Sequence, residues 1–156
     1  MDIGDEDVIH LWQLLHKHQV SYIMIGGFAV ALSGYPRYTG DCDIWLKDTP
    51  ENKRMLNEVF REMEMAVLEN IEEMQFVPGW TCFYLPGGMT LDLMTSLKGL
   101  DASRFDECFQ IAEVAEICGV PVRFLHLNHL LEAKRAAGRP KDLLDVEELE
   151  KLYRLK

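Results

Sequence analysis

Asp41 and Asp43 stand one residue apart in the run Asp41-Cys42-Asp43-Ile44-Trp45-Leu46. In an extended chain alternate side chains share a face, so two carboxylates lie on one side and Cys42, Ile44 and Leu46 on the other. Like charges held about 5 Å apart repel by about 3 kcal/mol at an effective dielectric near 20, and a divalent cation bound by carboxylate oxygens is a common compensation. An acid-x-acid pair alone says little: Asp5-Glu6-Asp7 is another, and reads as a solvated helix start. What sets the Asp41 pair apart is its approach. An apolar run from Val20 to Ile25 meets Gly26-Gly27, a short helical run follows from Phe28 to Leu32, and Ser33-Gly34-Tyr35-Pro36 closes it with a loop. Bare amides at a strand-to-helix turn favour anions, although the glycines also suit a tight turn that needs small residues. With the aspartates downstream, phosphate binding is the favoured reading. Arg37 is close in sequence to the acidic strand, able to contact phosphate or to pair with an aspartate.

A third acid sits in the apolar run Met89-Thr90-Leu91-Asp92-Leu93-Met94-Thr95. Thr90, Asp92 and Met94 share one strand face, and Pro86-Gly87-Gly88 turns this strand against Thr81 to Leu85 as a hairpin. Asp92 either meets Asp41 and Asp43 across the sheet or lies on an open face. Near the C-terminus, Lys134, Arg135, Arg139 and Lys141 fall within eight positions. They occupy the junction between a helix Leu127 to Ala137, stopped by Gly138, and a second helix from Pro140 to about Tyr153. There Lys134 and Arg139 have two readings: an interhelical clasp with Asp142 and Asp145, or contacts to a bound anion.

The first stretch resembles the signature of the nucleotidyltransferase (polymerase beta-like) superfamily: an apolar residue with Gly-Gly or Gly-Ser, a spacer, then acid, apolar, acid, apolar. Here it reads Ile25-Gly26-Gly27, a spacer of 13 residues from Phe28 to Gly40, and Asp41-Cys42-Asp43-Ile44, with Arg37-Tyr38-Thr39 matching the Arg-x-Thr of many members. The C-terminal junction is similar to that of toxin-associated and uncharacterised nucleotidyltransferase-like families, with Lys134, Arg139, Lys141, Asp142 and Asp145 at the matching positions. Lincosamide and aminoglycoside nucleotidyltransferases are of similar length. Gly27 stands where many active members carry serine.

This resemblance implies transfer of a nucleoside monophosphate from an NTP to an acceptor hydroxyl, with release of pyrophosphate. Asp41, Asp43 and Asp92 are its implied catalytic residues and ligands to two Mg²⁺ ions, with Mn²⁺ as an alternative. Gly26, Gly27, Arg37, Thr39, Lys134, Arg139 and Lys141 are the implied nucleotide-binding residues. The acceptor is a small molecule, a tRNA end or a protein, and a partner protein or a homodimer is open. The alternative function is an inactive protein of this fold that binds nucleotide or a partner, as an antitoxin does.

The elements that position these residues read as follows. Glu6 to His18 is an amphipathic helix through Val8, Leu11, Trp12 and Leu15, with His16 and His18 at solvated positions. Thr49 caps and Pro50 opens a helix carrying Leu56, Val59, Phe60 and Met63, which should cover the apolar face of the sheet. Phe105 to Ile117 and Val120 to Phe124 read as further extended or mixed segments turned at Gly119, and Ile111-Ala112-Glu113-Val114-Ala115 fits helix and strand about equally. His126 reads as a helix cap and His129 as a surface residue. The expectation is an α/β (α+β) fold with a mixed sheet, helices on one face and a C-terminal helical pair. It forms a single domain over residues 1–156, with the core at about 20–125 and the C-terminal helices at about 127–154.

With 16 basic and 26 acidic residues the formal net charge is −10, against broad, non-specific binding to nucleic acid. The four cysteines are scattered without zinc spacing and read as reduced, mostly buried thiols. An acidic N-terminus and the lack of any apolar run near 18 residues lead to the expectation of a soluble, cytoplasmic protein without membrane contact.

Overall fold

A computed structural model describes residues 6–36 and 40–154. Its elements run α1 (Glu6–Lys17), β1 (Tyr22–Ile25), α2 (Gly26–Leu32), β2 (Asp41–Leu46), α3 (Pro50–Glu62), β3 (Cys82–Tyr84), β4 (Thr90–Met94), α4 (Phe105–Ile111), β5 (Glu113–Ile117), β6 (Val120–Phe124), α5 (Leu127–Ala137) and α6 (Pro140–Arg154). The six strands form one mixed sheet in the order β3-β4-β2-β1-β6-β5. β1 runs antiparallel to β2, and β2 runs parallel to β4.

Alternation along the strands divides the sheet into two faces. Tyr22, Met24, Cys42, Ile44, Leu46, Leu91 and Leu93 are buried on one of them. Trp12 of α1 stacks on Tyr22, with ring centroids 5.9 Å apart, and Phe60 of α3 meets Phe83 at 5.3 Å. α1 and α3 therefore cover this face, as expected from their apolar stripes. The opposite face carries Asp43 and Asp92, and Trp45 beyond them packs edge-on against Phe105 of α4 at 5.3 Å.

Local signals fix several boundaries. Thr49 accepts a hydrogen bond from the Asn52 amide with Pro50 at the first helical position, His126 Nδ1 accepts from the Asn128 amide, and Gly138 ends α5 at φ 66°. The ambiguous stretch splits at Ala112 into α4 and β5, and β5 pairs antiparallel with β6 through the turn at Cys118-Gly119.

Three smaller expectations need correction. Cys42 and Cys108 are buried, but Cys82 and Cys118 are exposed, so the thiols divide evenly. His18 is not simply solvated, since its Nε2 lies 2.9 Å from Glu62 Oε1. His129 is not a surface residue: it is 8% exposed and its Nε2 lies 3.1 Å from Glu107 Oε2. The acid partner on α4 is 22 residues away in sequence, beyond the reach of local spacing. Among the described residues no helix is long and apolar enough to cross a membrane.

Candidate active site

Parallel pairing of β2 with β4 sets Asp43 directly beside Asp92, and Asp41 beside Thr90. On the other flank Asp43 pairs with Ile25, the last residue of β1. The chain then turns into α2 at Gly26, whose φ is +69°. A side chain there would be strained and its Cβ would run into the Asp43 carboxylate, so glycine is required twice over. Gly26 lines a cleft of about 620 Å³ together with Asp41, Asp43 and Asp92, a volume in the range of small-ligand sites. Gly27 is buried behind it.

The acids are electrostatically tense. Burial, the Asp92 and Asp41 charges push the Asp43 carboxyl up from 3.8 to about 6, against the opposing pull of Lys134 and Lys141. Burial also raises the Asp92 carboxyl, with Asp41 adding to it and a hydrogen bond from the Gly79 amide working the other way. Asp92 Oδ1 is buried with no hydrogen-bond partner among the described residues. A buried acceptor left in that state costs about 1–3 kcal/mol.

The opposite wall comes from the C-terminal pair, where the clasp is formed. Lys134 Nζ lies 3.3 Å from Asp142 Oδ1 and 3.2 Å from Asp145 Oδ2, with all three side chains buried. Arg139 Nε adds a 2.6 Å contact to Asp142 Oδ2 from a largely exposed position. Burial raises the Asp142 carboxyl, but the Arg139 hydrogen bond and Lys134 together hold it below its ordinary value. Lys134 and Arg139 still line the cleft, as does Lys141. Thus Gly26, Asp41, Asp43, Asp92, Lys134, Arg139 and Lys141 are gathered around one cavity, and Gly27 is adjacent. Arg37 and Thr39 lie outside the described residues.

Lys98 also lines the cleft, and sequence patterning did not single it out. It follows β4 in an ordinary turn-like run, Ser96-Leu97-Lys98-Gly99, whose only signal is the glycine.

The donor set suits a hard divalent cation: three carboxylates on adjacent strands, one with an unpaired buried oxygen and one with its charged form disfavoured. Their oxygens are not drawn into a tight cluster; among the described residues the group of three metal-ligand types whose atoms all lie within 4.8 Å of one another is Glu107, Cys108 and His129. There Arg104 already occupies Glu107 at 2.7 Å and Glu132 at 2.9 Å, so the group belongs to an ionic brace between α4 and α5.

No protein-family model matches the chain, and no curated protein matches it. Solved structures do. An antigenic nucleotidyltransferase-like protein from Paracoccidioides brasiliensis shares 20% identity at a TM-score of 0.56, over 94% of this chain and 75% of that one. A nucleotidyltransferase candidate from Thermotoga maritima shares 16% at 0.57, over 96% and 91%. The antibiotic-resistance factor ANT(2'')-Ia, solved in complex with adenylyl-2''-tobramycin, shares 16% at 0.55, over 91% and 84%. At such identities the likeness concerns backbone architecture, and by that architecture the chain is a small protein of the nucleotidyltransferase fold.

Proposed function

We propose that the chain is a metal-dependent nucleotidyltransferase that moves a nucleoside monophosphate from an NTP to an acceptor hydroxyl and releases pyrophosphate. The observation that carries this reading is the β2/β4 register, which sets Asp43 beside Asp92 with Asp41 on the same strand face, all three lining a cleft that Lys98, Lys134, Arg139 and Lys141 also line. Asp41, Asp43 and Asp92 would hold two Mg²⁺ ions, or Mn²⁺ in their place. Bound there, the ions supply charge neutralisation for the triphosphate and for the α-phosphorus under attack.

The chain's own groups do the rest. Asp92 has a buried oxygen free to accept a hydrogen bond, which suits it to orient the acceptor hydroxyl and take its proton. The Gly26-Gly27 backbone offers amides to the β and γ phosphates, with Arg37 and Thr39 assigned to the same end by their motif position. Lys134 and Arg139 shape the wall, while Lys134 and, from an exposed site, Lys141 supply the positive charge that acts on Asp43. Use of an NTP fits work in the cytoplasm. A net charge of −10 favours a small-molecule or protein acceptor over a large RNA.

The test is incubation with each α-³²P-labelled NTP, Mg²⁺ or Mn²⁺, and a host lysate containing RNA, protein and small molecules. Label should enter one acceptor class with the wild-type chain and fail to do so with Asp92→Ala. Label that moves equally in both contradicts the assignment of Asp92. Nucleotide binding without transfer from any of the four NTPs contradicts the enzyme and leaves a binding module.

A further inference from the structure

The cations around the cleft are not equivalent. Lys134 is spent on Asp142 and Asp145, and Arg139 is held by Asp142. Lys98 and Lys141 are different: both are exposed, both line the cleft, and neither makes an ion pair or hydrogen bond among the described residues.

Lys98 is also held in place by its backbone. Leu97 and Leu100 close a two-residue turn with reciprocal bonds, Leu97 N to Leu100 O at 2.8 Å and Leu100 N to Leu97 O at 3.1 Å. Leu100 is fully buried and Leu97 packs against the core, so the turn is anchored on both sides of Lys98. At the turn's second position Gly99 has φ +82°, and a Cβ there would press on Ala136 of α5. Arg104 Nη1 donates to the Gly99 carbonyl at 3.3 Å and pairs with Glu132 of α5. The tip is therefore seated on the helix that carries Lys134, with Lys98 four residues after Met94, which lines the cleft at the end of β4.

A braced turn, anchored by buried Leu100, that displays one exposed and unpaired lysine at the cleft beside carboxylates that call for a cation suits an anionic ligand that brings a cation with it. We infer that Lys98 is a phosphate-binding residue, which with Lys141 receives the β and γ phosphates of the NTP and the pyrophosphate that leaves. This rests on the proposed transferase reading and adds to it a residue outside every motif that pointed to that reading. The α-phosphate lies with the aspartates, and Lys98 has no role in holding the nucleoside monophosphate itself. The clasped Lys134 and Arg139 form the wall against which that polyphosphate lies.

The experiment measures binding of Mg²⁺·ATP (or whichever NTP binds tightest), pyrophosphate and the matching NMP to the full chain and to Lys98→Gln and Lys98→Arg, with thermal melting as the check on folding. Loss of one charge-assisted contact should weaken NTP and pyrophosphate by about tenfold or more in Lys98→Gln, leave the NMP unchanged, and be largely restored in Lys98→Arg. Unchanged NTP affinity in Lys98→Gln overturns the assignment while the transferase reading stands. Equal weakening of all three ligands with a lowered melting temperature also overturns it, since Lys98 then serves the turn. A wild-type chain that binds no NTP removes both the inference and the reading beneath it.

Discussion

At the residue scale Asp43 carries the tension of the site. Its carboxyl is pushed from 3.8 to about 6 by burial and by Asp92 and Asp41. The folded chain therefore holds this proton more tightly than the unfolded chain, and folding loses stability as pH rises through the window from about 4 to about 6. The full cost, on the order of 3 kcal/mol, is present above pH 6 in metal-free protein. Asp43→Asn removes it, so the variant should melt above the wild type at pH 7 and converge with it near pH 4. Melting curves across that range, with chelator present, check the prediction; a variant that is less stable at pH 7 contradicts it. The shared face of Asp41 and Asp43 was legible in the sequence because strand alternation assigns it, whereas alternation left Asp92 open between meeting them and an open face, and the β2/β4 register sets it beside Asp43. The collision between a Gly26 side chain and the Asp43 carboxylate was not, because it depends on the pairing of Ile25 with Asp43 across two strands.

At the element scale, the site is made by two unions: β2 beside β4, and α5 against α6. The first gives the acids their register. The second encloses one positive and two negative charges, with Asp142 fully buried and Asp145 2% exposed, and Arg139 closes it from the exposed side. Sequence spacing allowed a surface clasp of little worth; the burial makes it costly to break instead. Lys134→Met removes the one ammonium that both buried carboxylates, Asp142 and Asp145, share and should destabilise the chain by about 3–5 kcal/mol, read as a lowered denaturant midpoint. A loss below about 1 kcal/mol, the range of exposed pairs, would place the clasp at the surface in solution. The boundaries of α3, α5 and α6 were readable from Thr49, Pro50, Gly138 and Pro140, whose chemistry is local. The α4–β5 segment was not, since Ile111-Ala112-Glu113-Val114-Ala115 fits both periods and is decided by pairing of Val114 with Arg123 and Ala115 with Val122 on β6. The Leu97–Leu100 turn that presents Lys98 was equally silent, because what makes it significant is α5 packed against its glycine.

For the whole molecule, an acidic chain with net charge −10 gathers Lys98, Lys134, Arg139 and Lys141 around the same cleft as its three aspartates. A mixed field of this kind fits a ligand that brings its own divalent cation, with carboxylates on the metal side and ammonium groups on the phosphate side. The resemblance of residues 25–44 to a motif pointed to two of those three aspartates, Asp41 and Asp43, and the fold shared with the Thermotoga maritima and ANT(2'')-Ia structures agrees with that resemblance. The basic half was only partly visible, because which cations are free and which are clasped is a property of packing. The most direct test is calorimetric titration of wild-type, Asp41→Asn and Asp43→Asn chains with each NTP, in Mg²⁺ and again in excess chelator. The account predicts wild-type binding that needs Mg²⁺ and falls by about tenfold or more in either variant while their folds persist, the loss expected from one charged contact. Equal affinity with and without Mg²⁺, or undiminished affinity in the variants, would contradict the assignment of these aspartates to the metal and with it the proposed chemistry.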